Sequence, residues 1–346
     1  MTHTYEEAFF HQCQEKLTIS LPHFHLTLTR ARDNKHANTN RWKGSITMKI
    51  IDEAKHHTRN LLELSTQTYR EMTSSIRCMP DFLIIGAQRC GTTSLYYYLT
   101  GHPNIVPSSV KEIHFFDDSF TKGMRWYRAQ FPTVVEKYYI EHIRNHGFLT
   151  GEATPSYLLH PHAPKRIFQV MPKAKLIVLL RNPVDRAYSH YWLRTTLGDE
   201  TLSFEDAIHF EQERISGERE RLLADEDYRD NYRRFSYLSR GIYVDQLRRW
   251  MNYYPKEQFL ILRSEDLYSD PAGVTKQTLE FLGVPGQEIS TNKEYKQYRL
   301  GRKKGYLNKE KPPKMGYETR KYLLDYFKPH NTRLYEFFDK DFGWDE

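Results

Sequence analysis

Cysteine is scarce in this 346-residue chain: Cys13, Cys78 and Cys90 are the only three, so one stays unpaired under any pairing. Their spacing matches no zinc-ligand pattern. That excludes a fold built on disulfides and points to a reducing compartment. Long apolar runs are missing as well. The longest, Phe82–Ile85 and Leu176–Leu180, fall far short of the ~20 residues a membrane-spanning helix needs. Glu6, Glu7, Glu15 and Lys16 interrupt the amino-terminal stretch, which lacks the apolar core of a signal peptide. These absences predict a cytoplasmic protein.

Charge of one sign is not concentrated either. The 51 Lys and Arg against 44 Asp and Glu leave a net charge of +7, which suits an anionic ligand or acceptor. Basic and acidic residues interleave, most visibly from Glu211 to Arg234. A nucleic-acid-binding stripe is therefore not expected. No internal repeat is found, and 346 residues suffice for one large α/β domain with an appendage.

Two regions differ in pattern. Residues 1–79 read as an extension: Thr29–Gly44 is polar and reads as irregular. Beyond it, Ile50, Ile51, Ala54, Leu61, Leu62, Leu64, Tyr69 and Met72 fall mainly on one face of a helix expected over about 48–72. Met48 is a second candidate start codon. Residues 80–346 read as the main domain. Phe82–Ile85, Thr150–Glu152, Lys175–Leu180 and Phe259–Leu262 are short buried-strand signals separated by helical stretches. Asn182 and Pro183 supply an N-cap and first position for a helix over Val184–Arg194. The alternation predicts a three-layer α/β/α domain with a central parallel sheet and a helical N-terminal extension.

The chemistry-bearing motif follows the first strand. Gly86-Ala87-Gln88-Arg89-Cys90-Gly91-Thr92-Thr93 leads into a helix over Ser94–Leu99. In such a strand–loop–helix arrangement the loop N–H groups and the helix N-terminus converge on an anion, as they do around nucleotide phosphates. A Walker loop would continue with Lys and Ser/Thr. Here Thr92 stands at the Lys position and the cation is inside the loop, at Arg89. The strand ending at Leu180 is followed by Arg181, a second cation, rather than by an acidic metal ligand. Two arginines fit a polyanion bound without metal better than MgATP. His160 and His162 lack a third ligand, and no metal site is expected. A P-loop-type kinase and a nucleotide-binding module without catalysis stay open at this point.

The chain resembles the sulfotransferases that use 3′-phosphoadenosine 5′-phosphosulfate (PAPS), in the branch of the heparan sulfate N- and 3-O-sulfotransferases and their bacterial relatives. Four segments carry the likeness, covering about 80–346: Gly86–Leu95, Lys111–Asp117, Leu176–Tyr191 and Leu300–Tyr306, with Tyr335 and Asp341–Trp344 near the end. The resemblance implies an enzyme moving a sulfuryl group from PAPS to a hydroxyl or amine of a carbohydrate or glycolipid by in-line displacement. It implies Glu112 as general base, with Arg89 and His114 in supporting catalytic roles. It places the 5′-phosphate against Arg89, Cys90, Gly91, Thr92, Thr93 and Ser94. The 3′-phosphate falls to Arg181 and Ser189, and the nucleotide to the late loop Arg302, Lys303, Lys304, Gly305 and Tyr306. Asp117 would support the base or acceptor. One departure stands out: the lysine that glycosaminoglycan-modifying members tend to carry after the glutamate of Gly151-Glu152 is here Ala153, a mark against heparan-like acceptors.

Overall fold

The computed structural model describes residues 16–21, 24–29, 64–224, 230–284 and 313–344. It divides into two units, residues 1–65 and 66–346. In the first, β1 (Lys16–Leu21) and β2 (Phe24–Thr29) pair antiparallel, with Leu21 opposite Phe24 and Lys16 opposite Thr29. This hairpin was not expected from the composition of the extension. Its signal is the alternation Leu17, Ile19, Leu21 and Phe24, Leu26, Leu28 on either side of a proline. Of the helix expected over 48–72, residues 64–72 are helical, and the remainder lies outside the described residues. So does the stretch expected to be irregular, beyond Thr29.

The second unit is a five-stranded parallel sheet. Its strands are β3 (Phe82–Gly86), β4 (Ile105–Pro107), β5 (Leu149–Ala153), β6 (Lys175–Leu180) and β7 (Phe259–Arg263), in the order β4-β5-β3-β6-β7. The three-residue β4 gave no sequence signal of its own, being too short to show a period. All four pairings are parallel, as the α/β expectation required. Phe82 to Ile85 and Leu176 to Leu180 are fully buried, which explains why they read as unbroken apolar runs rather than alternating ones.

The helices that matter for function are α1 (Thr92–Leu99), α2 (Ala163–Val170), α3 (Pro183–Leu197), α4 (Tyr243–Met251), α5 (Pro271–Leu282) and α6 (Tyr317–Phe338). Between α3 and α4 the chain makes short helices at Phe204–His209, Glu211–Arg214, Glu218–Leu223 and Asp230–Phe235. From the central β3 the chain runs outward on one side to β4 and back to β5, then crosses to β6 and β7 on the other. The crevice at such a reversal, outside the carboxyl ends of the strands, is where open α/β sheets hold ligands.

Candidate active site

The expected site segments leave the carboxyl ends of β3, β4 and β6. At the end of β3, Gly86 lies so close to β5's continuation that a Cβ there would meet Leu158 Cβ at 2.5 Å. The loop then turns back: Ala87 N–H donates to Leu179 O (2.7 Å) and Cys90 N–H to Ala87 O (3.3 Å). Arg89 sits at φ 72° and Gly91 at φ 88°, left-handed conformations costly for a side-chain-bearing residue. Gly91 is the N-cap of α1, so the first-turn amides of Thr92 and Thr93 have no intrahelical acceptor and head the helix dipole. Thr92 and Ser94 are buried beneath the loop.

The Cys90 thiol points away, into the core, 4.0 Å from Tyr243 Oη, so Cys90 offers only backbone to a ligand. Ser264, at the end of β7, donates to Cys90 O (2.6 Å), and Tyr243 donates to Arg181 O (2.9 Å). These two hydroxyls tie the loops after β3 and β6 to their neighbours. Neither was foreseen from the sequence, since each acts from a distant element.

The loop after β6 brings the second cation. Asn182 caps α3 by accepting from Val184 N–H (3.0 Å), and its own N–H donates to Glu265 (2.9 Å). Its amide also reaches Trp344 O (3.4 Å), and Trp344 N–H donates to Tyr335 Oη, anchoring the carboxyl-terminal segment beside the site. Arg181 Nη1 approaches Arg89 O at 3.5 Å, while Arg89 Nε donates to Ser189 Oγ at 3.0 Å. Arg89, Arg181 and Ser189 are therefore neighbours. Burial, then the charge of Arg181, depress the Arg89 guanidinium to about 10. Among the described residues no carboxylate forms an ion pair with either arginine.

The segment after β4 holds the expected base. Glu112 (φ 61°) and His114 (φ 53°) are again left-handed. Lys111 Nζ lies 2.5 Å from Glu112 Oε1, and His114 Nε2 lies 3.7 Å from Oε2. On its other side His114 Nδ1 meets Asp117 Oδ2 (2.9 Å), a fully buried carboxylate that also accepts from Ser156. Burial pushes the Glu112 carboxyl up, but His114 and Lys111 outweigh it and hold it at about 2. Burial works against charge on His114 too, yet Asp117 and Glu112 raise it to about 10. The result is a chain of alternating charge, Lys111–Glu112–His114–Asp117. Lys111 and Ser156 are members that the residue-by-residue reading left out.

His114, Asp117 and Asp118 each put one ligand atom within 4.8 Å of the others. Asp118 is already paired with Arg233 at 2.6 Å, and Asp117 with Ser156 and His114. His162 spends its Nε2 on Leu222 O (2.7 Å), and His160 Nδ1 accepts from the His162 amide. Ala153 is fully buried on β5. The late loop Arg302, Lys303, Lys304, Gly305 and Tyr306 lies outside the described residues.

The chain was compared with known proteins. A family model described as the sulfotransferase domain matches residues 79–343. A membrane-associated sulfotransferase of Dictyostelium discoideum is 30% identical, the match covering 77% of this chain and 67% of that protein. A heparan sulfate glucosamine 3-O-sulfotransferase of Mus musculus is 32% identical over 77% of this chain and 65% of its own length. The chain thus spans about two-thirds of the length of these curated relatives. A solved sulfotransferase from Alicyclobacillus acidocaldarius is 28% identical and superposes with a TM-score of 0.55, over 78% of this chain and all of the other. Parallel sheet and family match agree: the chain belongs to the sulfotransferase family.

Proposed function

We propose that the chain transfers a sulfuryl group from PAPS to a hydroxyl or amine of a carbohydrate or glycolipid, with residues 80–346 as the catalytic domain. The observation that carries the donor assignment is the convergence of Arg89 and Arg181, two guanidiniums without a carboxylate partner among the described residues, at the head of α1. Such a site is short of negative charge, and a 3′,5′-bisphosphorylated nucleotide supplies it in two places. When bound, the donor presents a sulfuryl group on a phosphate leaving group.

The chain's own residues then divide the work. Thr92 and Thr93 amides and hydroxyls, with the backbone of Cys90, Gly91 and Ser94, hold the 5′-phosphate. Arg89 neutralises the charge that grows on that phosphate, acting electrostatically because a guanidinium is a poor proton donor. Arg181 and Ser189 hold the 3′-phosphate. The family resemblance assigns Arg302, Lys303, Lys304, Gly305 and Tyr306 to the nucleotide as well.

Glu112 accepts the acceptor's proton. In the resting site Lys111 occupies Oε1, so the acceptor hydroxyl or amine has to displace it. Losing that cation raises the basicity of Glu112 at the moment it is needed. His114, held by Asp117, keeps the other oxygen in place. No step in this assignment uses a metal. Two free cysteines, Cys78 and Cys90, support a reducing, cytoplasmic setting, and among the described residues no helix is long and apolar enough to cross a membrane.

The test is incubation with radiolabelled PAPS and a panel of acceptors: heparan sulfate, its de-N-sulfated form, and a glycolipid extract. Label transfer to one of them supports the assignment. Absence of transfer together with magnesium-dependent turnover of ATP overturns it.

A further inference from the structure

Glu152 takes no part in the chemistry described above, yet it is the only carboxylate buried under the base loop among the described residues that no cation pairs. It lies on β5, fully inaccessible, and three hydroxyls meet it. Tyr127 donates to Oε1 at 2.7 Å, Thr154 to Oε2 at 2.8 Å, and Tyr157 reaches both oxygens at 3.3 and 3.4 Å. Burial pushes its carboxyl up to about 7 in spite of the Tyr127 and Thr154 bonds. A carboxylate kept at that cost calls for a reason.

Two of the three hydroxyls carry a second load. Tyr157 Oη accepts from the amides of Phe115 (3.0 Å) and Phe116 (3.4 Å), and Thr154 Oγ1 accepts from the amide of His114 at 3.5 Å. A hydroxyl has one proton to give. Once that proton is committed to Glu152, the oxygen can only accept, and what it accepts from is the backbone of residues 114–116. Three consecutive amides of the base loop thus hang, through two hydroxyls, on one carboxylate. The same loop bears the left-handed residues Glu112 and His114. Conformations of this kind cost about 1–3 kcal/mol each and persist only where the surroundings over-determine them.

We infer that Glu152 is a positioning residue: through Tyr157 and Thr154 it fixes the backbone of the base loop and so sets the Glu112–His114–Asp117 geometry. A neutral amide of the same shape would not do this equally well. Its NH2 must donate, which turns the proton of Tyr157 or Thr154 away from the carbonyl side and onto a loop amide that also donates. Packing alone gives no such directionality. Phe115 would still stack on Tyr127, and Phe116 still meet it edge-on, both at 4.8 Å between ring centroids, whatever the polarity at residue 152.

The inference rests on the base-loop assignment, so the test reads the loop itself and needs no acceptor. In the full chain, the His114 imidazole is titrated by 1H–13C NMR, assigned by the signal missing from His114→Asn, in wild type, Glu152→Gln and Tyr157→Phe. Affinity for 3′-phosphoadenosine 5′-phosphate is measured alongside by calorimetry. In wild type His114 should stay charged to about pH 9 or beyond. In both variants its midpoint should fall by about one pH unit or more while nucleotide affinity stays within about twofold. Where an acceptor is in hand, kcat should drop about tenfold or more at unchanged donor KM. An unmoved His114 midpoint in both variants, or a tenfold loss of nucleotide affinity accompanying its fall, overturns the inference: Glu152 would then be a packing residue. Neither result bears on whether PAPS is the donor.

Discussion

Arg89 Nε and Ser189 Oγ lie 3.0 Å apart although a hundred residues separate them in the chain. One belongs to the loop after β3, the other to the second turn of α3. Their contact brings the two segments into a single site, because β3 and β6 are hydrogen-bonded neighbours whose carboxyl ends open on the same edge. Under the proposed function, the donor meets both segments with its two phosphates.

Arg181→Ala should weaken 3′-phosphoadenosine 5′-phosphate binding about ten- to a hundredfold, the worth of a charge-assisted bond to phosphate. AMP, without the 3′-phosphate, should lose little. Calorimetry on both ligands checks this, and equal losses for the two would remove Arg181 from the 3′-phosphate.

Glu112→Gln should leave nucleotide affinity unchanged and lower turnover about a hundredfold or more, the usual contribution of a positioned general base. Single-turnover transfer of labelled sulfuryl from pre-bound PAPS is the measurement. An active variant would move the proton-accepting role to His114.

The charge chain gives a pH signature. His114 is raised in the folded state to about 10, so the stability it contributes is complete below its unfolded value of about 6.5 and lost as pH climbs through 10. Glu112 is depressed to about 2, so its contribution is complete above about 4.5 and lost only as pH falls through 2. The two overlap fully between about pH 4.5 and 6.5. His114→Asn should therefore lower Tm most near pH 6 and progressively less towards pH 10. A pH-independent difference would mean that packing, not charge, is what His114 provides.

Gly91→Ala places a side chain at φ 88° with its Cβ 3.0 Å from Leu267 Cδ2. A left-handed L-residue costs about 1–2 kcal/mol, enough to lower Tm by about 2–8 °C for a unit of this size. Gly91 also caps α1, whose first amides the proposed function assigns to the 5′-phosphate, so the stabilisation by added 3′-phosphoadenosine 5′-phosphate should shrink too. Thermal scans with and without the nucleotide report both effects.

Much of the scaffold was legible because its signals are local. An unbroken apolar run such as Leu176–Leu180 can only be buried on both faces, and Asn182-Pro183 carries its own capping chemistry. The hairpin Lys16–Leu21 with Phe24–Thr29 was also written locally, as alternation, but the polar sequence around it masked the signal. The short β4 was not legible at all: three residues acquire strand character only by pairing with β5.

The same division runs through the site. By itself the sequence determined the strand–loop–helix with Gly91 at its turn and the cations Arg89 and Arg181, since each is a contiguous pattern with its own physics; Glu112 and His114 carry no such pattern and were picked out by the family resemblance alone. Only the tertiary structure decided that Ser264 and Tyr243 tie down the loops after β3 and β6, and that the Tyr127 hydroxyl reaches Glu152 beneath the base loop. Those relations depend on which strand lies beside which. Hydrogen bonds between residues tens of positions apart have no period and no spacing in the chain; they exist once the parallel sheet has set β5 against β3 and turned both carboxyl ends to the same side.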